Sequence, residues 1–311
     1  MSDLKHVPVL LDEVLEGLQL TPDMNVIDGT LGGGGHAAAI LERTGPSGKL
    51  LGLDLDPVAI QIATQNLVSF KNRIEIKKDS YVHVSDHIAF FAGKPIMALL
   101  LDLGMSSLQL DDTSRGFSYM SDNALDMTFD GSSEFTAQDL LMKSSEQELA
   151  DIFSTYGEER FAKRIARTIV KERVHEELTG KRIREICEGV YKAVYSKPST
   201  THPATRVWQA VRIAVNNEFE HIEKGILAGL EVLHAGGRIA IITFHSLEDA
   251  LVKKVIRDVV KGPEPDPNSP LPETFIPIAK KVTTKPILPS EEEKIKNPRA
   301  RSAQLRIIEK I

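Results

Sequence analysis

A glycine-rich segment between a short apolar run and a helical pattern constrains the fold of this chain most strongly. Five glycines lie within the seven residues 29–35. The apolar run Met24–Asp28 before them predicts a β-strand, and Gly35–Arg43 after them predicts a helix. Glycine allows positive φ angles and a close approach of the backbone to a ligand. A strand, a glycine loop and a helix in this order are typical of a cofactor-binding unit in a doubly wound α/β sheet.

Further apolar runs predict five more strands, and most of them alternate with helical patterns. The predicted strands are Leu50–Asp54, Arg73–Lys77, Met97–Asp102, Arg238–Thr243 and Gln304–Glu309. Additional helices are predicted at Pro57–Phe70 and Glu218–Leu233. This alternation is typical of a parallel sheet with crossover helices, so we expect an α/β fold.

One connection is too long to be a simple crossover. The strands Met97–Asp102 and Arg238–Thr243 are separated by the 135 residues 103–237, whereas a crossover needs a few loop residues and one helix. We therefore expect an inserted all-helical domain at residues 113–202, within an α/β domain formed by residues 1–112 and 203–311. The main helices predicted for the insertion are Ala137–Phe153, Glu158–Val174 and Thr179–Tyr195.

Composition and charge limit the function. The net charge of −6 argues against a general polyanion-binding surface, but residues 160–184 hold nine Lys or Arg and three Glu. A local basic face of this kind can bind nucleic acid. The single cysteine, Cys187, excludes an intrachain disulfide and a cysteine metal cluster, and it favours a reducing, cytoplasmic setting. We predict no metal site and no membrane span. The segment Lys261–Pro272 predicts a surface loop, and Glu291–Lys296 predicts a short helical turn.

The charges around the glycine loop indicate the kind of cofactor. Asp28 directly precedes the loop, where it would repel the pyrophosphate of a dinucleotide. S-adenosylmethionine carries a sulfonium and an ammonium group and no phosphate, so carboxylates such as Asp28 and Asp102 favour it. Asp54 ends the second predicted strand, where an acid usually binds ribose hydroxyls. The glycine spacing alone also fits a loose dinucleotide fingerprint.

Ten motifs, in order along nearly the whole chain, resemble the small-subunit ribosomal RNA methyltransferase H family. They are His6–Glu13, Asp28–His36, Leu53–Pro57, Leu100–Ser107, Gln109–Asp112, Arg115–Ser118, Thr155–Ala166, His202–Arg206, Phe244–Asp249 and Asn297–Arg301. This family methylates N4 of a cytidine in the ribosomal P site. The resemblance implies a class I methyltransferase fold with an inserted helical domain, and 16S rRNA in the small ribosomal subunit as the partner.

The resemblance also implies contacts to S-adenosylmethionine. The positions are Gly34, Gly35 and His36 at the methionine end, Asp54 at the ribose, and Tyr81, Asp102 and Gln109 around the adenine and the amino acid. From the residues alone, His36 could instead be a polar residue at a helix start, and Tyr81 a packing aromatic.

Methyl transfer to the amine of cytosine needs in-line alignment and an acceptor for the amine hydrogens, because the amine lone pair is delocalised. The stretch after the fourth predicted strand lacks the Asp/Asn-Pro-Pro-aromatic tetrad of many amino-methyltransferases. Asp102 or Ser106 could accept from the amine, or Asp102 could be only a cofactor ligand. The base must be unstacked, and Phe244 or His245 could contact it; the alternative is a buried Phe beside a loop His.

A basic face is predicted on the helix Glu158–Val174. Its members recur at helical spacing and are Arg160, Arg164, Arg167 and Lys171. With the family resemblance, this face favours a ridge that contacts rRNA phosphates. The alternative is a solvated face with local ion pairs such as Glu159 with Lys163. The C-terminal arginines Arg299, Arg301 and Arg306 could extend the ridge.

Two other functions are compatible with parts of the sequence. The first is a nicotinamide-dependent dehydrogenase, against which Asp28 and the lack of an evident hydride-transfer arrangement argue. The second is an RNA-binding assembly factor with an inactive cofactor pocket, against which the intact acids and glycines argue. Both a monomer and a homodimer are compatible with the sequence.

Overall fold

A computed structural model describes residues 8–120, 122, 125–132, 134–175, 178–195, 202–262 and 275–311. The chain forms two compact units. The sheet unit consists of Met1–Gly104 and Phe219–Ile311, and the helical unit consists of Met105–Glu218. Residues 263–272 of the predicted surface loop lie outside the described residues.

The sheet unit contains seven strands. They are β1 (Asn25–Asp28), β2 (Leu50–Asp54), β3 (Ile74–Lys78), β4 (Ile96–Asp102), β5 (Arg238–Thr243), β6 (Ala279–Lys281) and β7 (Gln304–Lys310). Their order is β3-β2-β1-β4-β5-β7-β6. The first five are parallel, and β7 runs antiparallel between β5 and β6. The predicted α/β fold class is confirmed, and the three-residue strand β6 is an addition to the prediction.

Twelve α-helices are described in the two units. They are α1 (Leu11–Gly17), α2 (Gly35–Arg43), α3 (Pro57–Asn66), α4 (Ser107–Asp111), α5 (Ala137–Lys143), α6 (Glu146–Gly157), α7 (Ala162–Glu172), α8 (Gly180–Lys192), α9 (Ala204–Val215), α10 (Glu218–Val232), α11 (Ser246–Lys261) and α12 (Glu291–Lys296). A 3₁₀ segment with a kink at His83 spans Tyr81–Phe91. Among the described residues, no helix is long and apolar enough to cross a membrane.

The sheet unit has apolar clusters on both faces of its sheet. Side chains of successive strand residues point to opposite faces, so Val26 of β1 lies in one cluster and Ile27 in the other. The first cluster includes Ile40 of α2, and the second includes Ile226 of α10. Burial on both faces explains why these strands appear in the sequence as short continuous apolar runs.

The helical unit extends beyond both predicted limits, residues 113 and 202. The helix α4 precedes residue 113, and α9 follows residue 202. Trp208 of α9 is buried in the same cluster as Phe153 of α6 and Ile165 of α7, so α9 belongs to this core.

The single helix predicted at Ala137–Phe153 is wrong, because two helices occupy this segment. The helix α5 ends at Lys143, and Ser144 is extended. Ser145 is the N-cap of α6 and forms a capping box. Its hydroxyl accepts from the Glu148 N–H, and the Glu148 carboxylate accepts from the Ser145 N–H. Such reciprocal caps stabilise a new helix start. The predicted turn at Glu291–Lys296 is confirmed as α12.

Candidate functional site

The order of the strands locates a candidate site in the sheet unit. The chain order reverses between β1 and β4, and ligands of open α/β sheets bind beyond the carboxyl ends of the strands at such a point. Asp28 ends β1 and Asp102 ends β4. The glycine loop follows Asp28 directly, so it lies at the same edge of the sheet.

The conformation of the glycine loop depends on its glycines and on hydrogen bonds to Asp54. Gly34 precedes α2 with φ +84°, and a Cβ atom there would lie 2.9 Å from Cδ1 of Leu67. The Gly32 N–H donates to Oδ2 of Asp54 at 2.7 Å, and the Asp56 N–H donates to Oδ1 at 2.8 Å. Asp54 therefore holds the loop against the end of β2. Burial raises the pKa of Asp54.

The carboxylates of Asp28 and Asp102 accept few hydrogen bonds from the described residues. Oδ1 of Asp28 accepts the Thr30 N–H at 3.2 Å. Among the described residues, Oδ2 of Asp28 and Oδ1 of Asp102 are buried without a hydrogen-bond partner. Burial raises the pKa of Asp28 to about 7 despite the Thr30 bond. Burial and the nearby charges of Asp28 and Glu248 raise the pKa of Asp102 to about 8. Such shifts are typical of functional sites.

His36 lies on α2 with its ring turned toward Asp102. Its Nε2 is 3.0 Å from the Val9 carbonyl oxygen, and its Nδ1 is 3.8 Å from Oδ2 of Asp102. A carbonyl oxygen only accepts, so Nε2 carries the proton. His36 is buried, and its role as a cofactor contact stays a prediction.

Tyr81 packs between the glycine loop and α10. A Cβ atom at Gly29 would lie 2.8 Å from Cβ of Tyr81, and one at Gly225 would lie 2.2 Å from Cδ2 of the ring. Glycine at both positions therefore gives the tyrosine its space. Gly34, Gly35, His36, Asp54, Tyr81 and Asp102 all belong to this sheet unit.

The turn after β5 is organised by Glu248, a residue to which the sequence analysis gave no role. The Phe244 N–H donates to Oε2 of Glu248 at 2.7 Å, and the Glu248 N–H donates to Nδ1 of His245 at 3.3 Å. Nε2 of His245 lies 3.0 Å from Oε1 of Glu248. Both ring nitrogens of His245 therefore face Glu248. The position of Glu248 within the motif Phe244–Asp249 could have indicated this role, since an acid in the first helical turn is a common capping residue.

Ser106 and Gln109 belong to the helical unit, where they form the capping box of α4. The Gln109 N–H donates to Oγ of Ser106 at 3.2 Å, and the Ser106 N–H donates to Oε1 of Gln109 at 2.9 Å. Each side chain therefore fixes the backbone of the other.

The structure places only part of the predicted basic face on the helix α7. The helix begins at Ala162, so Arg160 lies outside it, and the prediction of Arg160 on the helical face is wrong. Arg164 and Lys171 are exposed on the helix. Arg167 is exposed but contacts the Glu146 carboxylate, with an Nε–Oε1 distance of 3.1 Å. Exposed pairs of this kind contribute little stability, so Arg167 can exchange partners.

Two further expectations about charges are wrong. Glu159 is buried and accepts from the hydroxyl of Tyr191, so it does not form the surface pair expected with Lys163. Arg306 is buried in the sheet unit, where Nε lies 2.6 Å from Oδ1 of Asp249 and Nη2 lies 3.1 Å from Oδ2. A bidentate buried pair of this kind cannot contribute to a basic surface.

The parallel sheet with its antiparallel β7, the glycine loop after β1 and the acids ending β1, β2 and β4 define a class I methyltransferase fold. The chain belongs to the MraW methylase family, whose sequence model matches residues 3–311. A relative from Heliobacterium modesticaldum is named ribosomal RNA small subunit methyltransferase H. It is 43% identical over 311 residues, which cover 98% of this chain and 98% of the relative. The family resemblance of the ten motifs is confirmed.

Solved structures of lower similarity also match. An rRNA methylase from Streptococcus thermophilus is 12% identical, with a TM-score of 0.41, over 97% of this chain and 93% of that chain. TrmN from Thermus thermophilus is 12% identical, with a TM-score of 0.45, over 97% of this chain and 48% of that chain.

Proposed function

We propose that this chain is an S-adenosylmethionine-dependent methyltransferase that acts on N4 of a P-site cytidine in 16S rRNA of the small ribosomal subunit. Membership of a methylase family supports the reaction class. The name of the relative that is 43% identical supports the RNA substrate. The cytidine and its N4 atom rest on the family resemblance of the ten motifs. The proposal includes a cytoplasmic location, because the substrate is part of the ribosome.

The unpaired buried oxygens of Asp28 and Asp102 are the structural observation that carries the cofactor part of this proposal. A buried carboxylate without a partner is costly, and among the described residues these two oxygens have no hydrogen-bond donor. A ligand with sulfonium and ammonium charges would compensate them, whereas a diphosphate would add repulsion. S-adenosylmethionine fits these acids, and when bound it supplies a methyl group already activated for transfer.

The residues of the chain then have separate tasks. Gly34, Gly35 and His36 would hold the methionine end, and Asp54 would accept hydrogen bonds from the ribose. Tyr81 would lie against the adenine.

Asp102 is the better acceptor for the target amine. Oγ of Ser106 already accepts the Gln109 N–H, while Oδ1 of Asp102 has no donor among the described residues. Its raised pKa of about 8 makes the ionised form of Asp102 a stronger proton acceptor than an ordinary carboxylate. Asp102 would accept an N–H of the amine, draw its lone pair out of conjugation and receive the proton released on transfer.

The exposed cations Arg164, Arg167 and Lys171 support contacts to rRNA phosphates. We include the half-buried Phe244 and the neighbouring His245 as contacts to the unstacked base. Since the nitrogens of His245 face Glu248, its contact would be made by the face of its ring.

The test uses small ribosomal subunits from a strain that lacks this gene. The purified protein and S-adenosylmethionine with an isotopically labelled methyl group are added, and nuclease fragments of 16S rRNA are mapped by mass. We expect one labelled methyl group on N4 of a P-site cytidine, and none with the Asp102→Asn variant. Label on another base would refute the assigned target. Calorimetric binding of NAD but not of S-adenosylmethionine would refute the cofactor.

A further inference from the structure

Three aromatic rings and two arginines form a surface cluster in the helical unit. The cluster, called the aromatic patch below, consists of Phe161, Tyr191 and Tyr195 with Arg160 and Arg206. The ring centroids of Phe161 and Tyr191 are 5.0 Å apart at 83°, and those of Phe161 and Tyr195 are 5.9 Å apart at 64°. Tyr191 and Tyr195 are 6.1 Å apart. Edge-to-face contacts of this kind hold aromatic rings in defined orientations.

Both tyrosine hydroxyls are tied down by other side chains. The Tyr191 hydroxyl lies 2.9 Å and 3.0 Å from the two carboxylate oxygens of buried Glu159. Burial and the Glu159 charge raise the pKa of Tyr191 to about 12, so the hydroxyl stays a donor. The Tyr195 hydroxyl accepts from Nη1 of Arg160 at 2.7 Å. The Tyr195 side chain nevertheless remains 42% exposed, so its orientation is fixed while part of it faces solvent.

Two arginines lie near the rings, since the charges of Arg206 and Arg160 both act on Tyr191. Arg160 is exposed, and Nη1 of Arg206 donates to the Glu158 carbonyl oxygen at 2.7 Å. The guanidinium of Arg206 therefore spends only part of its hydrogen-bonding capacity on the protein. The negative charge of Glu159 is buried beneath Tyr191, so it adds little to the surface potential.

We propose that the aromatic patch stacks an unpaired nucleotide of the RNA substrate, with Arg160 and Arg206 at its flanking phosphates. The proposal rests on the proposed function, because it takes RNA as the substrate. Fixed aromatic faces beside arginines are typical of single-stranded nucleic-acid sites. A duplex fits poorly, since its bases are already stacked on one another. The patch would hold a nucleotide other than the cytidine that is methylated.

The test compares single-stranded and duplex RNA. Fluorescence anisotropy measures binding of the protein to a labelled oligouridylate and to an RNA hairpin with the same number of phosphates. For Tyr195→Ala we expect about tenfold weaker binding of the oligouridylate, because one stacking surface is lost. Hairpin binding should stay within about twofold of wild type. Tyr195→Phe keeps the ring and should retain binding, which separates stacking from the hydroxyl contact with Arg160.

A matched control removes exposed apolar surface elsewhere in the same unit. Val174 is 76% exposed and follows the far end of α7, so Val174→Ala should leave both affinities unchanged. Circular dichroism of each variant shows whether the helical unit is intact. Normal oligouridylate binding by Tyr195→Ala would overturn the proposal, as would equal losses for both RNAs or a wild-type protein that binds no oligouridylate.

Methylation of the small subunits by wild-type protein is measured in parallel. If the wild type methylates them and Tyr195→Ala binds oligouridylate normally, only the aromatic patch proposal fails. If the wild type methylates no RNA, and the Tyr195→Ala variant binds the oligouridylate more weakly than the wild type, only the proposed function fails.

Discussion

Replacing Gly225 by alanine should displace Tyr81, a proposed cofactor contact, although Gly225 is not itself proposed to touch the cofactor. Gly225 lies inside α10, where a Cβ atom would sit 2.2 Å from Cδ2 and 2.4 Å from Cε2 of Tyr81. Ordinary carbon contacts are about 3.5–4.0 Å, so the ring must move by more than about 1 Å. Overpacking costs about 1–3 kcal/mol, and the better helix propensity of alanine returns about 1 kcal/mol. We expect the free energy of unfolding to fall by roughly 0–2 kcal/mol.

The displaced ring should also weaken S-adenosylmethionine binding by about tenfold, which corresponds to about 1.4 kcal/mol. Urea unfolding and titration calorimetry measure the two effects. Gly189→Ala is the matched control, because Gly189 lies inside α8 with open space where its Cβ would be. This control should stabilise the protein by up to about 1 kcal/mol and leave the cofactor affinity unchanged.

A double variant tests the cause directly. In a Tyr81→Ala background the clash is gone, so Gly225→Ala should stabilise the protein as Gly189→Ala does. If Gly225→Ala in the wild-type background matched the wild type in stability and in cofactor affinity, the reasoning from the contact between Gly225 and Tyr81 would be refuted.

Three further predictions concern the acids and the basic helix. Asp54→Ala removes the proposed acceptor of the ribose hydroxyls, and since hydrogen bonds to charged groups contribute about 1.5–3 kcal/mol, calorimetry should show markedly weaker cofactor binding; unchanged affinity would exclude Asp54 from the site. Asp28 and Asp102 have pKa values of about 7 and 8, so the folded protein retains protons that the unfolded chain releases near pH 4. Stability should therefore fall as the pH rises from about 4 to 8, while cofactor affinity rises through pH 7–8; urea unfolding that shows rising stability in that window would contradict the assignment. Arg164→Glu with Arg167→Glu should slow methylation of small subunits and leave calorimetric cofactor affinity intact, and a normal rate would refute the RNA-contacting face.

The sequence predicted the sheet and the acids that end its strands because their signals are local. Asp28, Asp54 and Asp102 each end an apolar run, and the carboxyl ends of parallel strands meet at one edge of the sheet. The glycines of residues 29–35 mark the loop for the same reason, since the φ of Gly34 depends on its immediate neighbours. The length between two strands was enough to predict the helical insertion.

The positions of several charges could not be predicted, because contacts distant in sequence decide them. Glu159 is held by Tyr191, 32 residues later, and its carboxylate also accepts the Phe161 N–H at 2.8 Å. Arg160 lies between Glu159 and Phe161 and outside α7. Arg306 is buried by Asp249, 57 residues away. Helical spacing and charge counts carry no information about such partners.

The placement of the insertion has a consequence for how the protein is made. β4 pairs with β1 on one side and with β5 on the other, yet the ribosome must add residues 103–237 before β5 is synthesised. At roughly 5–20 residues per second, a nascent chain waits on the order of ten seconds with one edge of β4 uncovered. Uncovered strand edges recruit other chains. Translation speed and chaperone supply should therefore affect the yield of folded protein.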